Sequence, residues 1–170
     1  MPFIGIVAKE NDSNFIKNGI LKNAKFNRFE IININKNSIQ NIKNIKFDCL
    51  IINENIESFL KDSKYLENII NKAIYIIINS DIENNLYLFK HTGANVITYG
   101  LNAKSSLTVS SIKEENILLC IQRSIEGANK EVIEEQEINI NLKKNNVNKV
   151  YNVLAIFAIL QIYGEVLQKI

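Results

Sequence analysis

The chain has 170 residues, of which 46% are hydrophobic and 22% charged, and this composition is typical of one globular domain with a real core. Its 20 basic and 18 acidic side chains give a net charge of +2 and form no basic cluster, which argues against a nucleic-acid partner. The N-terminus has no basic leader, and the apolar stretch at 153–160 is too short to span a membrane, so we expect a cytoplasmic protein.

The first hundred residues alternate strand-length apolar runs with amphipathic, helix-like segments. Such alternation is typical of parallel strands that are covered by helices on both faces of the sheet. The sequence therefore predicts a Rossmann-like α/β fold with parallel βα units over residues 1–100. The predicted strands are 3–8, 29–34, 47–53, 73–79 and 95–100, and the predicted helices are 14–24, 39–45, 56–72 and 86–91.

The first strand runs directly into the first helix, and α/β proteins often bind phosphate at such a turn. Ser13 is a suitable N-cap for this helix, and Phe15, Ile16 and Ile20 lie on its predicted apolar face. The turn itself, residues 8–12, contains no glycine. Whether this turn binds a phosphate is therefore the first functional question that the sequence raises.

After Gly100 the pattern changes to extended segments with no room for helices between them, at 107–112, 117–124 and 134–140. We expect a small antiparallel sheet over residues 101–142, and the acidic stretch "EVIEEQE" at 131–137 is expected to be a solvated edge strand. A core helix is predicted for residues 150–170, with four side chains largely buried: Leu154, Phe157, Ala158 and Leu160. No linker divides the chain, so 1–170 is predicted to be a single domain.

The residues that most often carry catalysis are scarce and isolated. Cys49 and Cys120 lie inside apolar strand patterns without the spacing of metal ligands, which predicts buried, reduced thiols. The only histidine, His91, is expected in the last turn of a helix, where it favours the negative helix end. No Ser-His-Asp or Cys-His arrangement can be assembled, so we expect neither classical hydrolase chemistry nor a metal site.

Three stretches resemble the later half of the central domain of Mur ligases, the ATP-dependent enzymes that join amino acids to cell-wall precursors. They are "YIIINSD" at 75–81, "NVITYGLN" at 95–102 and "NKVYNVLAIFAILQIYG" at 148–164. In that family, a strand ending in Asn-x-Asp precedes a strand of the type "vitfG", a small antiparallel sheet and a helix of the type "HNvyNalAAiAva". The resemblance covers Tyr75 to Gly164, and residues 3–55 match only in architecture.

The resemblance implies a phosphate loop of the type Gly-Thr-Asn/His-Gly-Lys-Thr/Ser at the first turn. Ala8 and Asn11 stand at its two glycine positions, Asp12 at the lysine position, and only Ser13 keeps the hydroxyl. A carboxylate in place of the lysine reverses the charge where a nucleotide phosphate would lie. We therefore expect no cofactor, and in particular no tight binding of MgATP.

Asn79 and Asp81 are the candidate ligand-binding residues, together with Ser13, since the Asn-x-Asp strand end of the resembled family lies beside the nucleotide. The alternative is that Asn79 and Asp81 only cap the following turn, as such residues do after many strands. The family's Asp-His pair has no match near Asn53, because Ser58 and Phe59 stand at the expected positions. The chain also stops at Ile170, where the family continues into a closing domain.

These observations predict a degenerate, stand-alone Mur-ligase-like domain that binds a protein partner or small ligand and catalyses no reaction. We expect it to self-associate, with a dimer as the simplest state, and to have no nucleic-acid or membrane partner. Two alternatives stay open at this stage. One is an ATP- and Mg-dependent amide-bond ligase, or a ligase subunit completed by another chain, and the other is an unrelated Rossmann-like binding module.

Overall fold

The computed structural model of the chain describes residues 1–25, 28–57, 59, 63–83, 89, 92–113, 116–141, 149–168 and 170. The predicted helix at 86–91 falls largely outside these residues, and His91 and Ser58 fall wholly outside them. Within the described part lie four helices, α1 Glu10–Asn23, α2 Ile39–Ile42, α3 Ser63–Lys72 and α4 Val150–Ile162. The strands are β1 Phe3–Val7, β2 Glu30–Ile34, β3 Cys49–Ile52, β4 Tyr75–Asn79, β5 Asn95–Tyr99, β6 Leu107–Lys113, β7 Asn116–Ile121, β8 Ile125–Glu126, β9 Val132–Ile133 and β10 Gln136–Asn141.

Eight of these strands form one twisted sheet in the order β10-β7-β6-β5-β4-β3-β1-β2. Strands β1 to β5 pair in parallel, β6 joins β5 in parallel through Tyr99 and Leu107, and β7 and β10 pair antiparallel. The predicted α/β class is therefore confirmed. The three predicted antiparallel segments extend the parallel sheet with β10 at its edge, and β8 and β9 form a separate two-stranded sheet. The acidic stretch 131–137 is therefore not one edge strand, because it is divided between β9 and the start of β10.

The order of the strands creates a crevice at the carboxyl ends of β1 and β3. From β1 the chain moves outward to β2 and then crosses back to β3 on the other side of β1. The connections that leave β1 and β3 therefore diverge at the carboxyl ends of these two strands. Open α/β sheets bind their ligands at such a switch point.

Helices pack on both faces of the sheet. On one face α1 and α4 pack side by side, and α4 is apolar nearly all round because the sheet and α1 enclose it. Gly19 permits this contact, since a Cβ atom at that position would overlap the Ile156 side chain. The four core residues predicted in α4 are all fully buried. On the other face, α2 and α3 cover the apolar side chains of β1, β3 and β4.

Several helix boundaries differ from the predictions: α2 ends at Ile42 and not at 45, and α3 covers only Ser63–Lys72 of the predicted 56–72. Two further differences bear on the site and the core. Helix α1 begins at Glu10, so Ser13 lies inside its first turn and does not cap it; the Ser13 amide donates to the Lys9 carbonyl at 2.8 Å. The core helix predicted for 150–170 ends at Ile162. Gly164 ends it by adopting a φ of 68°, which glycine tolerates without strain. The described residues beyond Gly164 are not helical, although Leu167 remains buried.

Both cysteines are free thiols. Cys49 is fully buried in β3. Burial raises the pKa of its thiol well above the ordinary value, and the nearby negative charge of Asp48 raises it further. Cys120 in β7 is only partly buried, in contrast to the prediction. Among the described residues, no helix is both long and apolar enough to cross a membrane.

Candidate functional site

The crevice at the carboxyl ends of β1, β3 and β4 is a polar cavity of about 550 Å³. Four parts of the chain meet there: the turn from β1 to α1, the residues after β3, the last residue of β4 and the first turn of α4. The lining side chains are predominantly amides and charged groups, namely Lys9, Asp12, Asn53, Glu54, Asn55, Asn79, Ile82, Lys149, Tyr151 and Asn152. The topology therefore concentrates hydrogen-bonding groups at the position where this fold class binds ligands.

The Asp12 carboxylate is held between α1 and α4. Its Oδ1 atom accepts hydrogen bonds from Lys149 Nζ and from Asn152 Nδ2, both at 2.8 Å. Partial burial acts to raise the Asp12 pKa, but the hydrogen bonds from Lys149 and Asn152 and the charges of Lys149 and Lys9 outweigh it. The pKa therefore lies below its ordinary value, and the carboxylate is ionised at neutral pH.

Three asparagines connect this carboxylate to the end of β4. The Nδ2 atom of Asn79 donates to Asn53 Oδ1 at 3.0 Å, and Asn53 Nδ2 donates to Asn152 Oδ1 at 2.7 Å. Asn152 in turn donates to Asp12, so the hydrogen bonds cross the crevice without a break. We call Asn79, Asn53 and Asn152 the amide chain.

Both ends of the amide chain impose the same direction on it. At one end the backbone N–H of Asp81 donates to Asn79 Oδ1 at 3.0 Å, and a backbone N–H can only donate. At the other end the ionised Asp12 carboxylate can only accept. Reversing any one of the three amides would place two donors or two acceptors against each other. Each side-chain amide is therefore held in a single orientation.

Asp81 does not line the crevice, but its carboxylate joins the end of β4 to neighbouring parts of the chain by hydrogen bonds. Its Oδ2 atom accepts from the Leu101 backbone N–H at 2.6 Å and from the Tyr151 hydroxyl at 3.0 Å, while Oδ1 accepts from Asn102. Partial burial acts to raise its pKa, but these hydrogen bonds outweigh that effect and the pKa is lowered. Gly100 makes room for this arrangement, because a Cβ atom there would lie 2.7 Å from Asp81 Oδ1.

The three predicted site residues thus have different environments. Asn79 lines the crevice, is 3% exposed and forms one end of the amide chain. Asp81 lines a separate cavity of about 490 Å³ with Ser80, Thr98 and Asn102. Ser13 lines neither cavity; it is buried and its Oγ atom has no hydrogen-bond partner among the described residues.

Lys149 and Asn152 are the important residues that the sequence analysis did not identify as site residues. Lys149 precedes a helix that looked purely structural, and Asn152 interrupts its apolar pattern at one position. A signal did exist in the strands, since β3 and β4 are both followed or closed by an asparagine, "IIN" at 51–53 and "IIIN" at 76–79. Neighbouring parallel strands that end alike place these two amides side by side.

The first turn does not fit a nucleotide phosphate. Only Ala8 and Lys9 separate β1 from α1, so no loop is long enough to wrap a phosphate group. Positive φ angles occur in the described part of the chain only at Lys130 and Gly164, and none lies in this turn. The Asp12 carboxylate lies in the first helical turn, close to where the anion would bind. This turn therefore differs from a phosphate loop of the resembled type in length, backbone conformation and charge.

The described residues include no group of His, Cys, Asp and Glu side chains that could hold a metal ion. No protein-family model matches the sequence, and no curated protein is significantly similar to it. The resemblance to Mur ligases consequently rests on the three sequence stretches and stays a prediction.

Proposed function

We propose that this chain is a non-catalytic, Mur-ligase-like binding domain that takes a small polar ligand in the crevice at the carboxyl ends of β1, β3 and β4. In this proposal the domain acts by binding, without ATP and without forming an amide bond. Its biological setting, by the resemblance, is the regulation of cell-wall precursor metabolism. The observation that carries the proposal is the Asp12 carboxylate, held by Lys149 and Asn152 in the first turn of α1.

The position of Asp12 opposes nucleotide binding on electrostatic grounds. Two like charges about 4 Å apart repel by about 1 kcal/mol in water and by about 4 kcal/mol near a protein surface. A nucleotide phosphate would meet this repulsion and would also lack the lysine that the resembled pattern supplies in the turn, because the nearby Lys149 already pairs with Asp12. The helix N-terminus offers an anion about 0.3 to 1 kcal/mol, which is too little to compensate.

The crevice remains well suited to binding of another kind. The amide chain is rigid, because each of its members is oriented by its neighbours, and each amide keeps one N–H that these hydrogen bonds do not use. Lys9 adds an exposed ammonium group at the rim. A preorganised set of donors in a polar cavity favours a small ligand that carries several acceptor atoms.

Titration calorimetry with MgATP tests the proposal. We expect no measurable binding to the wild-type chain at millimolar nucleotide, and no ATP hydrolysis. A wild-type dissociation constant in the low micromolar range would contradict the proposal and favour the ligase or ligase-subunit alternative. The matched control is the triple variant Ala8→Gly, Asn11→Gly and Asp12→Lys, which restores the resembled phosphate-loop pattern. Binding gained only by this variant traces the loss of nucleotide binding to these three residues.

A further inference from the structure

Asn152, one of the two groups that hold the Asp12 carboxylate, is oriented independently of Asp12 itself. Asn152 is 3% exposed, and its orientation follows from the amide chain, which begins at the Asp81 backbone N–H. Its Nδ2 atom therefore points to the carboxylate position even without a partner there. Lys149 lies three residues earlier, at the start of the same helix, and directs its ammonium group to the same oxygen.

We propose that Lys149 and Asn152 form a binding site for a carboxylate, which the Asp12 side chain occupies in the free protein. A small organic carboxylate takes this place when Asp12 is removed or withdrawn. The inference rests on the proposed function, because it specifies the ligand chemistry of the same crevice. Asp12 then acts as an internal competitor that keeps other anions out until a carboxylate ligand displaces it.

The contacts favour a carboxylate over a phosphate. Both donors meet Oδ1 of Asp12 at 2.8 Å, and Oδ2 has no hydrogen bond within the described part of the chain. The site thus binds one oxygen of a planar group, and the turn provides no loop of backbone N–H groups around a tetrahedral one. Without Asp12, the charged residues lining the crevice are Lys9, Lys149 and Glu54, with a formal charge of +1. A monoanion balances this charge.

Chemical rescue of Asp12→Ala by acetate tests the inference. Thermal unfolding is followed at pH 7 in sodium acetate and in sodium chloride of equal ionic strength. We expect acetate to raise the midpoint of Asp12→Ala saturably, by about 3 to 6 °C at ten times its dissociation constant, relative to chloride. The wild type should respond at least several-fold less at the same acetate concentration, because its own carboxylate fills the site. Sodium phosphate stabilises proteins generally, so its effect is taken relative to the wild type, and on that scale it should not reproduce the acetate effect.

Two double variants identify the site. Adding Lys149→Met to Asp12→Ala should abolish the acetate effect, because the ammonium donor is lost. Adding Lys22→Met removes an equal charge from an exposed position in the last turn of α1 and should leave the acetate effect intact. If Asp12→Ala is unfolded in chloride, the readout becomes recovery of the wild-type far-UV circular dichroism in acetate.

The inference is overturned if acetate and chloride act alike on Asp12→Ala, or if acetate fails to restore folding where this variant is unfolded. It is also overturned if phosphate, relative to the wild type, stabilises the variant as much as acetate does, if wild type responds as strongly to acetate, or if Lys149→Met leaves the rescue unchanged. These outcomes are separate from a failure of the proposed function. Tight MgATP binding by the wild type would contradict the proposed function whatever the acetate experiment shows.

Discussion

Replacing Asn152 with alanine tests the amide chain directly. The substitution removes the hydrogen bond that Asn152 donates to the Asp12 carboxylate and the one that it accepts from Asn53. A hydrogen bond to a charged group contributes about 1.5 to 3 kcal/mol and a neutral one about 1 kcal/mol, which together give about 2.5 to 4 kcal/mol. Asp12 and Asn53 are only partly buried, so water replaces part of the lost hydrogen bonding. We therefore expect the free energy of unfolding to fall by about 2 to 3 kcal/mol.

Urea denaturation followed by circular dichroism measures this loss. The midpoint should fall while the m-value stays at its wild-type value, because the substitution does not change the surface exposed on unfolding appreciably. Asn139→Ala is the matched control. Asn139 is exposed on the edge strand β10, so its loss should change the unfolding free energy by less than about 0.5 kcal/mol.

A double-mutant cycle separates the hydrogen bond from general effects of the substitution. Asn152 and Asp12 contact each other, so Asn152→Ala and Asp12→Ala should be non-additive by about 1 kcal/mol or more. A loss below about 0.5 kcal/mol for Asn152→Ala, or additive effects of the two substitutions, would refute the continuous amide chain described above.

Further predictions concern the two carboxylates, Gly100, helix α4 and self-association. The pKa values of Asp12 and Asp81 lie below the ordinary value of about 4, so stability present above that pH should be lost as the pH falls through about 4 and below. Asp81→Asn should flatten this decline in acid-unfolding curves, and an unchanged curve would contradict the assignment. Gly100→Ala should cost about 1 to 3 kcal/mol in urea titrations, because its Cβ would lie 2.7 Å from Asp81 Oδ1. Phe157→Ala should cost about 3 to 5 kcal/mol, and truncation after Lys149 should abolish cooperative folding; a folded 1–149 fragment would disprove this role of α4. Light scattering tests self-association, which a monomer mass at tens of micromolar would contradict.

Local patterns were sufficient to predict most of the elements. The apolar runs at 3–8 and 73–79 are strands in the structure because parallel strands are buried on both faces and so carry apolar residues throughout. The start of α1 was predicted wrongly because Ser13 looked like a cap. Glu10 and Asp12 provide the acidic first turn that a helix N-terminus favours, and the helix begins at Glu10.

The site was predictable only in part, because its contacts join distant residues. Asn79 could be identified from a strand end and a motif, but Asp12 and Lys149 are 137 residues apart, and no local pattern pairs them. The same limit applies to β6, because its own sequence does not indicate that it pairs with β5. Periodicity reports which face of an element is buried and does not report its partner.

The Asp12 and Lys149 pair also shows why a single substitution would not convert the crevice to nucleotide binding. In the resembled pattern the cation stands in the turn and the anion is the ligand, whereas here the anion stands in the turn and the cation comes from α4. Asp12→Lys alone would place two ammonium groups side by side and would leave Asn152 without its acceptor. The turn, the amide chain and the first turn of α4 therefore depend on one another. A substitution in any one of them would leave polar groups of the others without partners. This interdependence favours the use of this crevice for a ligand of a different chemistry.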